Sequence, residues 1–295
     1  MKFLLTGKNG QVGFELQRAL APLGEVVAVD RSACDLADPD AIRALIAGLR
    51  PDVIVNPAAY TAVDRAESDE TAAHAINAIA PGVIGEAARA IGAVVVHYST
   101  DYVFDGTGEG AYRESDTPNP QSVYGRTKLA GEQALQASGA DHLIFRTSWV
   151  FGAHGGNFAK TMLRLASERD VLKVVADQYG APTPAALLAD ATAQVLGRLQ
   201  REGRNGFPFG LYHLVADGVT TWHAYAQAVV SAAAAAGKPL KIAAADIEAI
   251  PTSAYPVPAP RPANSRLNTD QFRQAFGLRL PPWEEGLAHV LQQIL

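Results

Sequence analysis

Short apolar segments alternate with longer segments of helical periodicity through the first half of the chain. Each apolar segment is hydrophobic on both faces, and a helical pattern separates it from the next. Strands of this kind, joined by helices, are typical of a parallel sheet covered on both sides. The sequence therefore predicts a doubly wound α/β fold whose strands are KFLL (2–5), EVVAVD (25–30), DVIVN (52–56), AVVVHYS (93–99) and HLIFRTS (142–148).

After Trp149 the alternation becomes less regular. Helical patterns near 157–168, 184–201 and 221–236 are interrupted by the strand-like segments LKVVA and GLYHLV. The proline-rich segment PTSAYPVPAPRPANSRL, which begins at Pro251, cannot form a regular helix or a central strand. Since an amphipathic helix follows it, we expect an ordered loop draped over a site.

Composition excludes several classes of protein. A net charge of −5 argues against nucleic acid as the main partner. The single cysteine, Cys34, excludes an internal disulfide and a cysteine-based zinc site. The opening MKFLLTG is too short for a signal-peptide core, and no apolar run approaches the length of a membrane span. We therefore expect a cytoplasmic protein with no nucleic-acid or membrane partner.

The segment TGKNGQVG lies between the first strand and its helix. Glycines at Gly7, Gly10 and Gly13 let backbone amides approach a pyrophosphate, and the helix N-terminus adds a favourable dipole. The spacing is GxxGxxG rather than the GxGxxG of many dehydrogenases. A tight turn with incidental glycines is the alternative, but the position directly after the first strand favours dinucleotide binding.

Two further strand ends complete the predicted cofactor site. Asp30 ends the second strand, where a carboxylate can accept hydrogen bonds from ribose hydroxyls, and the adjacent Arg31 can pair with a 2′-phosphate. NADH and NADPH therefore both remain possible. The loop that follows, with Asp35 and Leu36, can cover the adenine. In NPAAY, the small Ala58 and Ala59 leave room for a cofactor above the third strand.

The segment YGRTK places Tyr124 and Lys128 four residues apart, on one face of a helix. A free phenol has a pKa of about 10. A cation held beside Tyr124 would lower that pKa and suit the phenol to proton exchange with a carbonyl. The fourth strand ends in STD, which brings a third candidate, Thr100, to the same edge of the sheet. Without this context, an exposed helix would explain the Tyr–Lys pair equally well.

These motifs together resemble the extended short-chain dehydrogenase/reductase superfamily. Within it, the whole chain resembles the dTDP-4-dehydrorhamnose reductase family, which catalyses the last step of dTDP-L-rhamnose synthesis. The resemblance runs from Met1 to the C-terminus, and the blocks that carry it occur in this order: RPDVIVNPAAYTAVDRAE, VVHYSTDYVFDGTG, VYGRTKLAGE, RTSWVFG, NFAKTMLRLA, DQYGAPT and RPANSRL.

The resemblance implies a Rossmann-type domain of residues 1–148 plus roughly 170–215, and a smaller C-terminal α/β substrate domain of residues 149–169 and 216–295. It implies reduction of the C4 keto group of a dTDP-4-keto-6-deoxysugar by NADPH or NADH. Thr100 would bind the substrate carbonyl and Tyr124 would donate the proton. Lys128 would bind the nicotinamide ribose and lower the pKa of Tyr124.

The resemblance also assigns binding residues. Asp101 and Trp149 match positions that contact the deoxysugar, in addition to Thr100 and Tyr124. From its own chemistry, Arg261 in the proline-rich loop is either a pyrophosphate ligand or a surface arginine. The remaining matches form the cofactor groove: Gln11 and Val12 of the phosphate loop, then Asp30, Asp35, Leu36, Ala59, Tyr60 and Thr61, with Tyr124 and Lys128 at the reactive end.

The sequence departs from the family at two places. Tyr60 stands where histidine is common. Some relatives dimerise through magnesium held by glutamates; Glu15 matches one such ligand, whereas the later positions correspond to Ala186 and Gln293, neither of which is a carboxylate. Mg²⁺ is therefore possible but not supported by the residues, and both a monomer and a homodimer remain open.

Two other functions remain open. A nucleotide-sugar epimerase or dehydratase would share the superfamily fold, but a 4,6-dehydratase carries an extra acidic residue where this chain has Tyr102. The regulatory subunit of methionine adenosyltransferase shares a segment like STDYVFDG and is not a catalyst of this reaction. An intact set of Thr100, Tyr124 and Lys128 favours a working reductase.

Overall fold

The computed structural model describes residues 1–295, and its helices and strands follow the predicted alternation. The strands are β1 (Lys2–Leu5), β2 (Glu25–Ala28), β3 (Val53–Asn56), β4 (Val94–Thr100), β5 (His142–Thr147), β6 (Val150–Phe151), β7 (Lys173–Val175), β8 (Tyr179–Gly180), β9 (Thr183–Pro184), β10 (Gly210–His213), β11 (Thr220–Thr221) and β12 (Glu248–Ile250). The α-helices are α1 (Gln11–Leu20), α2 (Pro39–Leu49), α3 (Val63–Ala66), α4 (Glu70–His74), α5 (Ala80–Ile91), α6 (Val123–Ala137), α7 (Phe158–Glu168), α8 (Ala185–Glu202), α9 (Trp222–Ala235), α10 (Asp270–Phe276) and α11 (Trp283–Ile294), and a π-helical turn, Ala75–Ile79, joins α4 to α5.

The central sheet has six parallel strands in the order β2-β1-β3-β4-β5-β10. Helices cover both faces, as the strand β4 illustrates: Val94 and Val96 pack with residues of α1, α8 and α10, whereas Val95 packs with residues of α2, α5 and α6. Because both faces are buried, the strands show no polar alternation. The predicted Rossmann-type, doubly wound α/β fold is confirmed.

The strand order reverses at β1, whose neighbours are β2 on one side and β3 on the other. The connections that follow these strands therefore leave in opposite directions and open a crevice at their carboxyl ends. Open α/β sheets bind ligands in such a crevice. The TGKNGQVG turn follows β1, and NPAAY continues from the end of β3, so both motifs border it.

A second hydrophobic cluster lies outside the sheet. It joins α7, α9, α11 and β7, with Tyr225 and Trp283 among its fully or nearly fully buried members. The segment 270–280 packs against the central sheet instead, since Phe272 and Phe276 of α10 lie in the core of that sheet. The division into a cofactor domain and a substrate domain stays a prediction. No helix is both long enough and apolar enough to cross a membrane.

The proline-rich segment follows an ordered path. Thr252 near its start donates through its backbone nitrogen and hydroxyl to Asp177, and Asn264 near its end donates to the carbonyls of Gly108 and Gly110. Between these points Arg261 pairs with Asp64 of α3 at 2.6 Å. These contacts hold the segment across the carboxyl end of the sheet.

Candidate active site

The turn after β1 has a backbone that only glycine accommodates at two positions. Gly7 has a φ of +60°, and a Cβ there would lie 2.9 Å from the Cβ of Ala58. A Cβ at Gly13 would lie 2.1 Å from the Gly7 carbonyl oxygen. Helix α1 begins directly after this turn, and no side chain caps its N-terminus. Its first amides and its dipole are therefore available to an anionic group in the crevice.

A groove of about 470 Å³ runs over the crevice. Ten predicted cofactor residues line it together: Gly7, Gly10, Asp30, Arg31, Asp35, Leu36, Ala58, Ala59, Tyr60 and Thr61. The sequence analysis missed others that share it: Thr6, Asn9, Val29, Cys34, Ala62, Arg65 and Ile76. Most of these are direct neighbours of predicted residues at the same strand ends, and that adjacency was the available signal.

Five predicted cofactor residues do not line this groove: Tyr124 and Lys128, which lie in α6, and Gln11, Val12 and Gly13 at the start of α1. The Gln11 amide donates to the Val150 carbonyl and accepts from Asn157. Its side chain therefore links the TGKNGQVG turn to β6 and to the segment that follows β6. Val12 packs against the sheet core, and Gly13 lies under the turn. A contact of Gln11 or Val12 with a cofactor would therefore come from the backbone at the start of α1.

Charged groups are paired at the end of the groove that lies next to β2. Asp30 accepts from Ser32 Oγ at 2.6 Å and pairs with Lys8 at 3.2 Å. These contacts hold the pKa of Asp30 far below its usual range, the hydrogen bond from Ser32 being the largest cause. Arg31 pairs with Asp35 at 3.1 Å, while its side chain remains 80% exposed. The groove thus offers both a fixed carboxylate and an accessible guanidinium.

Tyr60, the departure from the family pattern, is tied to the wall of the groove. Its hydroxyl donates to Asp69 at 3.0 Å, and its backbone exchanges hydrogen bonds with the Asn77 side chain. Its phenol is therefore engaged within the protein.

Strand β4 and helix α6 bring the proposed catalytic residues together. Thr100 ends β4; its hydroxyl donates to Asp101 Oδ1 at 3.0 Å and accepts from the backbone nitrogen of Tyr102 at 3.2 Å. Tyr124, in the first turn of α6, is half-buried, and the Thr100 side chain is close enough to influence its phenol. Helix α6 begins here because Ser122 caps its N-terminus, accepting from Gly125.

Burial changes the proton affinities of Tyr124 and Lys128 in opposite directions. Burial raises the pKa of Tyr124 to about 12, and only the hydrogen bond with Thr100 acts in the opposite direction. The ammonium of Lys128 donates to the Tyr98 carbonyl at 2.6 Å and lies 3.2 Å from His97 Nε2. Burial lowers the pKa of Lys128 to about 8, against the opposing charge of Glu132.

Asp101 is a buried carboxyl at the same strand end. It is 3% exposed, and its Oδ2 has no hydrogen-bond partner. Burial therefore raises the pKa of Asp101 to about 6, although hydrogen bonds from Ser265 and Thr100 favour the carboxylate. A polar substrate group can supply the missing partner of Oδ2.

The remaining predicted substrate residues already have protein partners. Trp149 adopts a left-handed backbone with a φ of +49° and stacks on Trp222 with ring centroids 3.7 Å apart. Non-glycine residues in this region are strained and cluster at functional sites. Arg261 forms an ion pair with Asp64 rather than standing free. Sequence reasoning had no signal for either partner.

The residues at the candidate magnesium position do not fit the ion. Glu15, Ala186 and Gln293 do line one cavity of about 650 Å³, together with Asp190. However, Arg18 lies between the two carboxylates, 3.3 Å from Glu15 and 2.8 Å from Asp190. No group of three or more potential metal ligands is present.

Comparisons with known proteins agree along the whole chain. The sequence model of the RmlD substrate binding domain matches residues 1–295. The dTDP-4-dehydrorhamnose reductase of Salmonella typhimurium is 53% identical over 100% of this chain and 98% of its own length, and that of Burkholderia thailandensis is 49% identical over 100% and 99%.

Solved structures give the same result. The dTDP-4-dehydrorhamnose reductase of Clostridium acetobutylicum superposes with a TM-score of 0.89 at 36% identity, covering 100% of this chain and 99% of that one. The enzyme of Bacillus anthracis, solved with NADP, has a TM-score of 0.88 at 33% identity and covers 99% of both chains. A UDP-glucose 4-epimerase of Thermus thermophilus, at 22% identity, shares the fold alone. This chain therefore belongs to the family of the dTDP-4-dehydrorhamnose reductases.

Proposed function

We propose that this protein reduces the C4 keto group of dTDP-4-dehydro-β-L-rhamnose to give dTDP-L-rhamnose, with NADPH or NADH as the hydride donor. The observation that carries the proposal is the assembly of Thr100, Tyr124 and Lys128 at the carboxyl end of β4, beside the groove of the glycine turn. Membership of the reductase family supports it, as does the NADP bound by the Bacillus anthracis relative.

Thr100 at the end of β4 and Tyr124 in α6 have separate roles in carbonyl reduction. Reduced nicotinamide supplies the hydride when it is bound. Thr100 Oγ would exchange its hydrogen bond to Asp101 Oδ1 for one to the carbonyl oxygen and hold that oxygen in place. Tyr124 Oη gives its proton to the alkoxide that develops at C4. The raised pKa of Tyr124 keeps the phenol protonated at neutral pH, which a proton donor requires.

Lys128 contributes through the position of its ammonium. Two of its three ammonium hydrogens point towards protein acceptors, and the third is available to a hydroxyl of the nicotinamide ribose. At the other end of the groove, Asp30 can accept from the adenosine ribose and Arg31 can bind a 2′-phosphate. This pair supports the use of both NADH and NADPH.

The sugar nucleotide would lie against the proline-rich segment. Asp101 would offer its unpartnered Oδ2 to a sugar hydroxyl, and the ring of Trp149 would pack against the sugar. Arg261 would bind the pyrophosphate after exchanging its contact with Asp64. These three assignments rest on the residues' chemistry and place at this edge of the sheet.

The decisive experiment follows NADPH oxidation at 340 nm with dTDP-4-dehydro-β-L-rhamnose. Tyr124→Phe should lower kcat by about 10²- to 10⁴-fold, the usual contribution of a positioned acid. Tyr112→Phe is the matched control, because Tyr112 is a partly buried phenol bonded to Asp105 away from Thr100. Equal rates for Tyr124→Phe and the wild type would refute the acid role. An inactive wild type that binds a partner enzyme tightly would favour the regulatory-subunit function.

We also propose a cytoplasmic location, which the free and buried thiol of Cys34 supports, since disulfides are rare in reducing compartments. The protein is expected to be a monomer or a homodimer, and light scattering of the purified chain distinguishes the two.

A further inference from the structure

His97 is a buried titratable residue beneath the proposed active site. It is 1% exposed in β4, on the face that Val95 shares with the apolar residues of α2 and α5. Its ring lies between two other buried polar side chains, Asn56 of β3 and Lys128 of α6. Buried polar groups are usually hydrogen-bonded, and both nitrogens of His97 face a polar side chain.

The partners determine where the ring carries its proton. His97 Nε2 lies 3.2 Å from Lys128 Nζ, and an ammonium can only donate, so Nε2 must carry the lone pair. The proton is then on Nδ1. The side-chain nitrogen of Asn56 lies 3.2 Å from Nδ1, and its side-chain oxygen accepts from Thr6 Oγ at 2.6 Å. Since Nδ1 donates, a half-turn of the Asn56 amide must turn its oxygen towards the ring and its nitrogen towards Thr6 Oγ, a hydroxyl that can also accept. Burial and the nearby charge of Lys128 hold the pKa of His97 well below its usual range, so the ring remains neutral.

The ammonium of Lys128 is thereby oriented by two acceptors. One hydrogen goes to the Tyr98 carbonyl at 2.6 Å and a second to His97 Nε2. Lys128 is 1% exposed, so few other acceptors can replace these. The two contacts come from consecutive residues of one strand, and they fix the direction of the third hydrogen.

We propose that His97 is a positioning residue of the reductase site: its neutral ring accepts a hydrogen bond from Lys128 through Nε2 and aims the remaining ammonium hydrogen at the nicotinamide ribose. The proposal rests on the role of Lys128 in the proposed function. The position of His97 in β4 indicates only that its ring is buried, and its contact with Lys128 is what indicates the positioning role.

His213 shows what a purely structural histidine looks like in the same sheet. It is fully buried in β10, its Nδ1 lies 3.2 Å from the Asn268 carbonyl, and its Nε2 has no partner. Neither nitrogen contacts a residue of the proposed site. His213 is therefore the matched control for any effect of removing a buried imidazole.

The test uses His97→Met, which removes the acceptor, and His97→Gln, whose side-chain oxygen can replace Nε2, with His213→Met as the control. NADPH affinity is measured by fluorescence titration in the absence of substrate. Loss of one hydrogen bond to a charged group predicts an increase of about 10- to 100-fold in the Kd of His97→Met. His97→Gln should recover most of this affinity, and His213→Met should lower the melting temperature with little effect on the Kd.

Several results would overturn the proposal: an unchanged Kd in His97→Met, a His97→Gln variant as impaired as His97→Met, or an equal increase in His213→Met. Should His97→Met fail to fold, ¹⁵N NMR of the wild-type imidazoles decides, since a ring protonated on Nε2 contradicts the proposed hydrogen bond. None of these measurements requires turnover. An inactive wild type would refute the proposed reduction while leaving the contribution of His97 to cofactor binding measurable.

Discussion

Replacing Asp101 by asparagine tests whether burial raises the pKa of this carboxyl at the end of β4. Oδ1 accepts from Thr100 at 3.0 Å, whereas Oδ2 has no partner, and the side chain is 3% exposed. Desolvation raises the pKa of Asp101 from its ordinary value of 3.8 to about 6. The folded protein therefore binds this proton more tightly than the unfolded chain does.

The pH dependence follows from that difference. The contribution of Asp101 to stability is fully present below about pH 4 and is lost as the pH rises towards and through about 6. A tenfold change in proton affinity corresponds to about 1.4 kcal/mol, so the total loss is about 3 kcal/mol. Asp101→Asn has no such proton. Its free energy of unfolding, relative to the wild type, should increase by about 3 kcal/mol between pH 4 and pH 8.

Urea unfolding followed by circular dichroism at several pH values between 4 and 8 measures this difference. Asp105→Asn is a control of opposite sign, because hydrogen bonds from Thr107 and Asn119 hold the pKa of Asp105 far below its usual range. It should destabilise the protein at neutral pH. A difference between Asp101→Asn and the wild type that stays constant with pH would refute the reasoning. The proposed sugar contact further predicts a higher KM for substrate in Asp101→Asn.

Three further substitutions test other parts of the structure. Gly13→Ala places a Cβ 2.1 Å from the Gly7 carbonyl oxygen, so NADPH affinity in a fluorescence titration should fall at least about tenfold; unchanged binding would contradict the tight turn. Glu132→Gln disrupts the buried, bidentate ion pair with Arg146, with contacts of 2.9 and 2.7 Å, and should lower the free energy of unfolding in urea by about 3–5 kcal/mol; a loss below about 1 kcal/mol would show that the pair is not isolated from water. Arg31→Ala should raise the KM for NADPH far more than that for NADH in steady-state assays, and equal changes would exclude Arg31 from the 2′-phosphate site.

Local periodicity accounts for most of the fold that the sequence predicted. The pattern from Val123 to Leu135 predicted a helix that the structure extends to Ala137, and the helix predicted near Asn157 begins where that residue caps it. The missed elements have little local signal. Strand β12 has three residues and is defined by its pairing with β7, far away in the chain. Helix α10 has seven residues, and its two buried residues, Phe272 and Phe276, gave no prediction from the sequence.

The features of the candidate site also fall into those that local sequence predicted and those that it did not. The glycine spacing and the strand ends predicted residues that line the groove, and the Tyr124–Lys128 spacing gave the proposed catalytic pair, because these motifs are set by neighbours in the chain. The direction of the Lys128 ammonium and the proton affinity of Tyr124 were not predictable. They depend on acceptors from another strand and on burial, neither of which spacing along a helix reveals.

The sequence by itself determined a parallel α/β sheet with a dinucleotide turn after its first strand, since hydrophobic periodicity and glycine spacing are local properties. Only the tertiary structure decided that Arg261 pairs with Asp64, 197 residues away, and that Trp149 stacks on Trp222. It also decided that His97 contacts Lys128. Such contacts form when separate elements pack, and the desolvation that accompanies packing sets which groups keep their protons.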